Sequence, residues 1–261
     1  MTFPLLDIEV AACEPLKDGT SNNTYLINAR YVYRKKKESD FPFFSPPQEE
    51  AILERIQAID IAPKQIAYDA KTGDKVEEYL SGARFFNGSI EDLKLYAALF
   101  KKLHSLPSDG IAPFGVKGRY DYYKAKSQED LDEGDLYSEI APLLEGEQVI
   151  CHNDLWQGNM LIKEGKAYLI DFEFAGTNSP IFDLASTLSE NKITDKDRIE
   201  ILLMEYFGKE DIEKEYQNVK RVMKFENALW FYWAKCRYMD SKQKAFLTIM
   251  EDKKKAFLNH E

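Results

Sequence analysis

Between Val149 and Phe174 the chain alternates short apolar runs with side chains that bind protons and cations. Val149-Ile150-Cys151 leads into His152-Asn153-Asp154, Asn159 closes the loop, and Met160-Leu161-Ile162 reads as a strand. Glu164-Gly165 is a hairpin turn signal between two apolar runs, and the returning strand Ala167–Ile170 delivers Asp171 at its end. A tight hairpin therefore places Asn159 and Asp171 at the same end of two paired strands, with Asp154 on the loop that feeds them. Few other arrangements satisfy this segment. Phosphoryl transfer from a nucleotide needs such a set: one carboxylate to orient a hydroxyl and accept its proton, and an amide oxygen with a second carboxylate to hold Mg²⁺ on the phosphates.

The order His-x-Asp-x-x-x-x-Asn, hairpin, Asp-Phe is that of the kinase catalytic loop and metal-binding segment. Cys151 to Ile162, together with Leu169 to Ala185, resembles the choline/ethanolamine kinases, within the wider group of aminoglycoside-phosphotransferase-like kinases. The stretch from Asp171 to Asp183, Ile-Asp-Phe-Glu followed by Phe-Asp-Leu-Ala, is the more specific part. The resemblance implies an α+β, bilobal, protein-kinase-like fold. Residues 1–80 would form a nucleotide-binding lobe with an antiparallel sheet and one helix, and residues 81–261 a mainly helical lobe. It implies ATP and Mg²⁺ as cofactors, Asp154 as the base, Asn159 and Asp171 as the metal ligands, and a cationic alcohol, choline, as acceptor. Ethanolamine, thiamine or an aminoglycoside is the alternative acceptor. A non-catalytic kinase-like binding protein is a further alternative, against which stands the presence of Asp154, Asn159 and Asp171 together.

In the N-terminal part, residues 13–37 read as a hairpin region with strands at Thr24–Ile27 and Tyr31–Arg34. The turn before them, rich in Gly, Ser and Asn, could lay backbone N–H groups against phosphates or could be an ordinary hairpin. Its place resembles the nucleotide loop of choline kinases, which makes Ser21, Asn22 and Asn23 nucleotide-binding candidates. Arg34 ends its strand where the resemblance puts a phosphate-binding cation with a planar fork. Pro46 and Pro47 open a helix with Ile52, Leu53, Ile56 and Ile59 on one face. A glutamate on that helix is expected to steady Arg34, Glu49 by its phase, with Glu50 as the alternative. Strands at 66–69 and 75–80 follow, and by resemblance the backbone of Glu78 and Leu80 would meet adenine.

Further on, Ser89 is expected to cap a helix that carries Leu93, Tyr96, Leu99, Phe100 and Leu103 and ends at His104. Residues 127–147, acidic with few apolar anchors, read as a solvated helix and loop. Asp183 and His152 are expected to brace the catalytic loop. Glu190, two helical turns past Asp183, matches an acid that faces the quaternary ammonium in choline kinases, or is a surface glutamate. Trp230 and Trp233, three apart on a helix with the stripe Phe225, Leu229, Tyr232, Cys236 and Met239, could wall a trimethylammonium pocket or simply pack the core. Trp156 stands where relatives carry a smaller or polar residue, and it is assigned to the acceptor side.

A formal net charge of −10 argues against nucleic acid as the main partner. Three widely spaced cysteines form no disulfide or metal pattern, and no stretch reads as a signal peptide or membrane span. A cytoplasmic protein is expected, of undetermined oligomeric state.

Overall fold

Alternating apolar residues in the first third pair as strands, and helical periodicity takes over after residue 90. The computed structural model describes residues 3–16, 22–37 and 42–259. In the N-terminal part β1 (Cys13–Pro15), β2 (Asn22–Ile27) and β3 (Tyr31–Lys36) form a meander, followed by α1 (Pro46–Gln57), β4 (Gln65–Tyr68) and β5 (Lys75–Glu78). The five strands make an antiparallel sheet in the order β1-β2-β3-β5-β4. Ile27, Tyr33 and Val76 form its small core, sealed by Phe3, Leu5, Leu6 and Tyr25. Pro at the start of α1 suits a position whose N–H lacks an intrahelical partner.

The remainder is mostly helical, as expected for this α+β architecture. It comprises β6 (Arg84–Phe85), α2 (Ile90–His104), α3 (Val116–Ser127), α4 (Leu136–Leu144), β7 (Val149–Cys151), β8 (Met160–Lys163), β9 (Lys166–Leu169), β10 (Gly176–Asn178), α5 (Pro180–Glu190), α6 (Lys196–Phe207), α7 (Glu213–Ser241) and α8 (Lys244–Leu258). Ser89 caps α2 through its hydroxyl, which accepts from the Asp92 N–H at 3.2 Å. β8 and β9 join through Glu164 (φ 51°) and Gly165 (φ 74°), two positive-φ residues in a row, which gives the turn a twist matching that of the strands.

Ile52, Leu53 and Ile56 of α1 do not join the small core of the sheet. They belong to the large core that also holds Phe100, Phe172, Phe182 and Leu229. α1 is thus one of the places where the sheet and the helical part meet. Residues 127–147 differ from the expected solvated segment: Leu131, Leu136, Ile140 and Leu144 are buried. Glu133 accepts hydrogen bonds from Tyr232 and Lys124, at 2.8 and 2.7 Å, and from Tyr120. An acidic composition hid a buried anchor there.

Glu49 was expected to steady Arg34. Its charge does act on Arg34, but its direct contacts are elsewhere: its Oε1 lies 2.6 Å from Nζ of Lys75, and its Oε2 accepts from the Tyr68 hydroxyl at 2.9 Å. The reason is topological: β5 lies between β3 and β4, so Lys75 stands opposite Arg34 on the neighbouring strand and takes the glutamate first. Removing one partner of such a buried pair strands the other charge, which costs about 3–5 kcal/mol. Glu49→Ala should therefore lower unfolding free energy by about that amount, and a Glu49→Leu, Lys75→Met double variant by clearly less. Urea denaturation of the two variants checks this.

Candidate functional site

The loop after β7 is fixed from beneath by one carboxylate. Oδ2 of Asp183 accepts from the His152 N–H and Oδ1 from the Asn153 N–H, both at 2.8 Å. Nε2 of His104 donates to Oδ2 as well, at 3.1 Å, which leaves Nδ1 to accept from the Tyr206 hydroxyl at 2.8 Å. Asn153 sits at φ 65°, a conformation that Asn tolerates better than most residues. Its amide donates to the Phe174 carbonyl at 3.1 Å and its oxygen accepts from Asn178 at 2.9 Å. The Leu155 N–H reaches Ser186 Oγ at 3.1 Å, so α5 holds the loop on both sides of Asp154. The neutral His152 ring completes the frame: Nδ1 accepts from the Asp154 N–H, Nε2 donates to the Ile170 carbonyl, and burial pushes its pKa down.

Within this frame the structure brings Asp154, Asn159 and Asp171 to one end of the β8–β9 hairpin. Nδ2 of Asn159 donates to Oδ2 of Asp154 at 2.9 Å, and its backbone carbonyl accepts from the Ile170 N–H at 3.0 Å. Asp171 adopts φ 69°, ψ 68°, a strained left-handed conformation for a non-glycine residue. Nη1 of Arg34 holds Oδ2 of Asp171 at 2.9 Å, while Oδ1 is buried without a hydrogen-bond partner among the described residues. Glu77 lies 3.6 Å from Nε of Arg34, and Lys36 pairs with Glu173. The sheet thus presents Arg34, Lys75 and Lys36 towards the acids of the hairpin.

The two aspartates are driven apart. Burial pushes the Asp154 carboxyl well up, and the charges of Glu190, Asp171 and Glu173 push it further, against the opposing hydrogen bond from Asn159. Burial also acts on Asp171, but Arg34, Lys75 and Lys36 outweigh it and hold the net value below the usual carboxylate range. Adjacent carboxyl groups of opposite bias are the pattern of an acid–base site. A cation arriving among these acids would lower the proton affinity of Asp154. The orphaned Oδ1 of Asp171, and the Asn159 amide whose nitrogen is committed to Asp154, fit a hard divalent ion that takes oxygen ligands.

The other expected residues fall as follows. Ser21 lies outside the described residues. Asn22 and Asn23 are the first two residues of β2, paired with Lys36 and Lys35, and not part of a free turn. The Glu78 N–H is already used by the Lys64 carbonyl at 2.9 Å, and the Leu80 carbonyl accepts from the Ala83 N–H at 3.1 Å. Trp156 is 47% exposed, with its indole laid over Gly158 so closely that a Cβ there would meet the ring at 2.1 Å. Trp230 is buried against Phe174 and Trp233, its ring 5.8 Å from each, while Trp233 also packs on Phe246 of α8 at 5.6 Å. Glu190 acts on Asp154 more strongly than any other charge, yet it is no bare acid: Nζ of Lys253 lies 2.5 Å from its Oε1.

Sequence reasoning missed Lys75, Glu77, Lys36, Glu173, Glu226 and Lys253. For Lys75 and Glu77 a signal existed, two charges at strand spacing beside Val76. Spacing alone does not tell a solvent face from a cleft face. The cluster His104, Cys151 and Asp183 brings potential ligand atoms together, but Asp183 and His104 are already hydrogen-bonded there.

Comparison with known proteins places these features in context. The sequence profile of the phosphotransferase enzyme family matches residues 12–217. Protein LicA of Haemophilus influenzae is 32% identical over 93 residues, 33% of this chain and 34% of that protein. The match thus spans about a third of that relative's length. Among solved structures, a choline/ethanolamine kinase family protein from Mesorhizobium loti superposes with TM-score 0.82 at 20% identity, covering 98% of this chain and 91% of that one. Choline kinase LicA from Streptococcus pneumoniae gives 0.75 at 17% identity, covering 96% and 94%. At these identities the structural matches establish a shared kinase-like fold.

Two outcomes follow from the geometry. Gly158→Ala should expel the Trp156 ring from its seat, visible as a shift in tryptophan emission against the Trp156→Phe background. Burial raises the Glu226 carboxyl well above its ordinary value, so the stability it contributes is present below the unfolded-state pKa and is lost as pH rises through the folded one. Glu226→Gln, neutral at every pH, should therefore raise Tm at pH 8 and confer no gain at pH 4, with about 2–4 °C for each kcal/mol recovered.

Proposed function

This chain belongs to the phosphotransferase enzyme family, and we propose that it transfers the γ-phosphoryl group of ATP to the hydroxyl of a small cationic amino alcohol, choline in the first instance. One observation carries the reading: Asp154, Asn159 and Asp171 converge at one end of the β8–β9 hairpin, facing Arg34 of the sheet. A site with this donor set has little covalent chemistry to perform. Positioning and charge compensation do the work.

Asp154 holds the acceptor hydroxyl and takes its proton. Asn159 keeps one oxygen of that carboxylate in place, which leaves the other free for the substrate. Asp171 and Asn159 are the residues that would hold Mg²⁺, which supplies charge neutralisation on the phosphates when bound. Arg34 then exchanges its carboxylate partner for phosphate oxygens, with the fork geometry that arginine offers both. Lys75 stays with Glu49 and keeps positive potential beside it. Asp183, His104 and His152 do not reach the substrate. They fix the loop so that Asp154 meets the hydroxyl without reorganisation.

Support for a cationic acceptor comes from the acids around Asp154. Glu190, Asp171 and Glu173 all act on it, so a positive group near the hydroxyl relieves their repulsion. In this reading the ammonium would meet the aromatic cluster of Trp230, Trp233 and Phe174, rings of the kind that attract alkylammonium groups.

Steady-state ADP release with Mg²⁺-ATP against choline, ethanolamine, thiamine and kanamycin tests the reading. Turnover is expected with choline and ethanolamine and not with the other two. Asp154→Asn should reduce kcat by about 10³-fold or more, with nucleotide affinity by calorimetry retained. Normal turnover in that variant would remove Asp154 from its role, and exclusive use of kanamycin or thiamine would overturn the acceptor class.

A further inference from the structure

A cavity of about 360 Å³ lies between the loop before α1, the loop that leads into α3 and the segment after Asp171. None of Asp154, Asn159 and Asp171 lines it. Small-molecule pockets occupy about 300–1,000 Å³, so the space suits a ligand built around one ring. Phe43, Phe44 and Phe114 form apolar walls, and the exposed Gly115 and Gly118 stand at the rim. The cation in the wall is Arg119, which is 5% exposed.

Arg119 is in the first turn of α3, and its side chain runs back past the start of the helix. Its Nε donates to the Phe114 carbonyl at 2.6 Å and its Nη2 to the Phe43 carbonyl at 3.2 Å. The guanidinium carbon lies 4.2 Å from the centre of the Phe114 ring and 4.6 Å from that of Phe43. These contacts hold the group but do not neutralise it. Arg34 and Arg84 each take an aspartate, whereas no carboxylate among the described residues pairs with Arg119, and its Nη1 has no hydrogen-bond partner there. Burial pushes its pKa down, with the Tyr123 hydroxyl as the group that opposes the shift. The acids that share the cavity are committed elsewhere, Glu49 to Lys75 and Glu173 to Lys36. A buried charge without a counter-ion is costly, and a bound anion would relieve it.

The helix start adds a second set of donors. α3 opens after Gly115, which sits at φ 70° and gives no side-chain cap, so the N–H groups of the first turn lack an intrahelical acceptor. They lie at the positive end of the helix beside the guanidinium, an arrangement suited to an anion. We propose that this cavity is a ligand site, separate from the Asp154 centre, for a small organic acid. Its carboxylate lies between Nη1 of Arg119 and the amides that open α3, and its apolar body lies against Phe43, Phe44 and Phe114. One cation, with Glu49 and Glu173 in the same wall, balances a single negative charge better than the dianion of a phosphate. The aromatic walls favour a carboxylate that carries a ring over a bare inorganic anion.

A ligand-observed NMR titration of benzoate into the full chain tests this, with benzamide and inorganic phosphate as comparisons. Benzoate should bind with a Kd of about 1 mM, the reach of a ligand of its size. Benzamide, of the same shape without the charge, should bind about tenfold more weakly, and Arg119→Met should weaken benzoate by about the same factor. Because that variant disturbs buried contacts, Gly118→Leu provides an independent check. A Cβ at Gly118 meets no atom within 4 Å, and leucine suits a helix better than glycine, so the fold is kept while the side chain fills the mouth of the cavity. Benzoate binding should be lost there, with Tm at or above that of the parent. A saturating non-hydrolysable ATP analogue with Mg²⁺ should leave the benzoate affinity unchanged. Equal binding of benzoate and benzamide, undiminished binding in Gly118→Leu, or no binding of benzoate at about 10 mM would overturn the proposal. So would tighter binding of phosphate, or displacement of benzoate by the nucleotide.

Discussion

The site depends on one buried carboxylate. Both oxygens of Asp183 are committed to backbone N–H groups of the loop after β7, with the His104 ring as a third donor. A loop of this kind otherwise leaves amides unsatisfied in the core, each of which costs about 1–3 kcal/mol. By meeting that need from α5, Asp183 makes a positive-φ residue at 153 tolerable and sets the direction in which Asp154 leaves the loop. His152 carries the same order to the next strand through the Ile170 carbonyl. The spacing between Asp154 and Asp171 is thus a consequence of backbone hydrogen bonds, with no contact between the two side chains needed to maintain it.

Charge is distributed unevenly across the cleft. The loop after β7, the segment after β9 and α5 contribute Asp154, Asp171, Glu173 and Glu190, and the sheet answers with Arg34, Lys36 and Lys75, part of whose charge is spent on Glu49 and Glu77. Asp171 is the member that the cations capture, and Asp154 the one left under repulsion. Such a site is incomplete without further positive charge, and nucleotide-bound metal and a cationic acceptor are two ways to supply it. In the proposed reading each would lower the proton affinity of Asp154 as it arrives, so that the proposed base is readied by the assembly of the proposed substrates.

What the sequence disclosed was local. The hairpin turn, the cap of α2, the apolar stripe of α7 and the order of polar groups from His152 to Asp171 all depend on residues within about one or two turns or strands of each other. What it concealed was set by topology. Glu49 pairs with Lys75 because β5 is inserted beside β3, a fact of strand order that no local pattern encodes. Lys253 lies 63 positions from Glu190 and looks, within Glu-Asp-Lys-Lys-Lys, like any solvated lysine. Residues 127–147 misled for a related reason: Glu133 counts as acidic in composition while its partners, Tyr120, Lys124 and Tyr232, come from helices on either side.

The placement of α1 has a mechanical meaning. Its apolar face lies in the large core, while its glutamate reaches up to a strand of the sheet whose own core is small. Were the sheet to tilt over the helical part, α1 would stay behind as the floor. Arg34, the direct cross-strand partner of Lys75, reaches the hairpin instead through Asp171, so the two neighbouring strands are tied to two different parts of the helical body. A tilt of the sheet would have to load both ties at once.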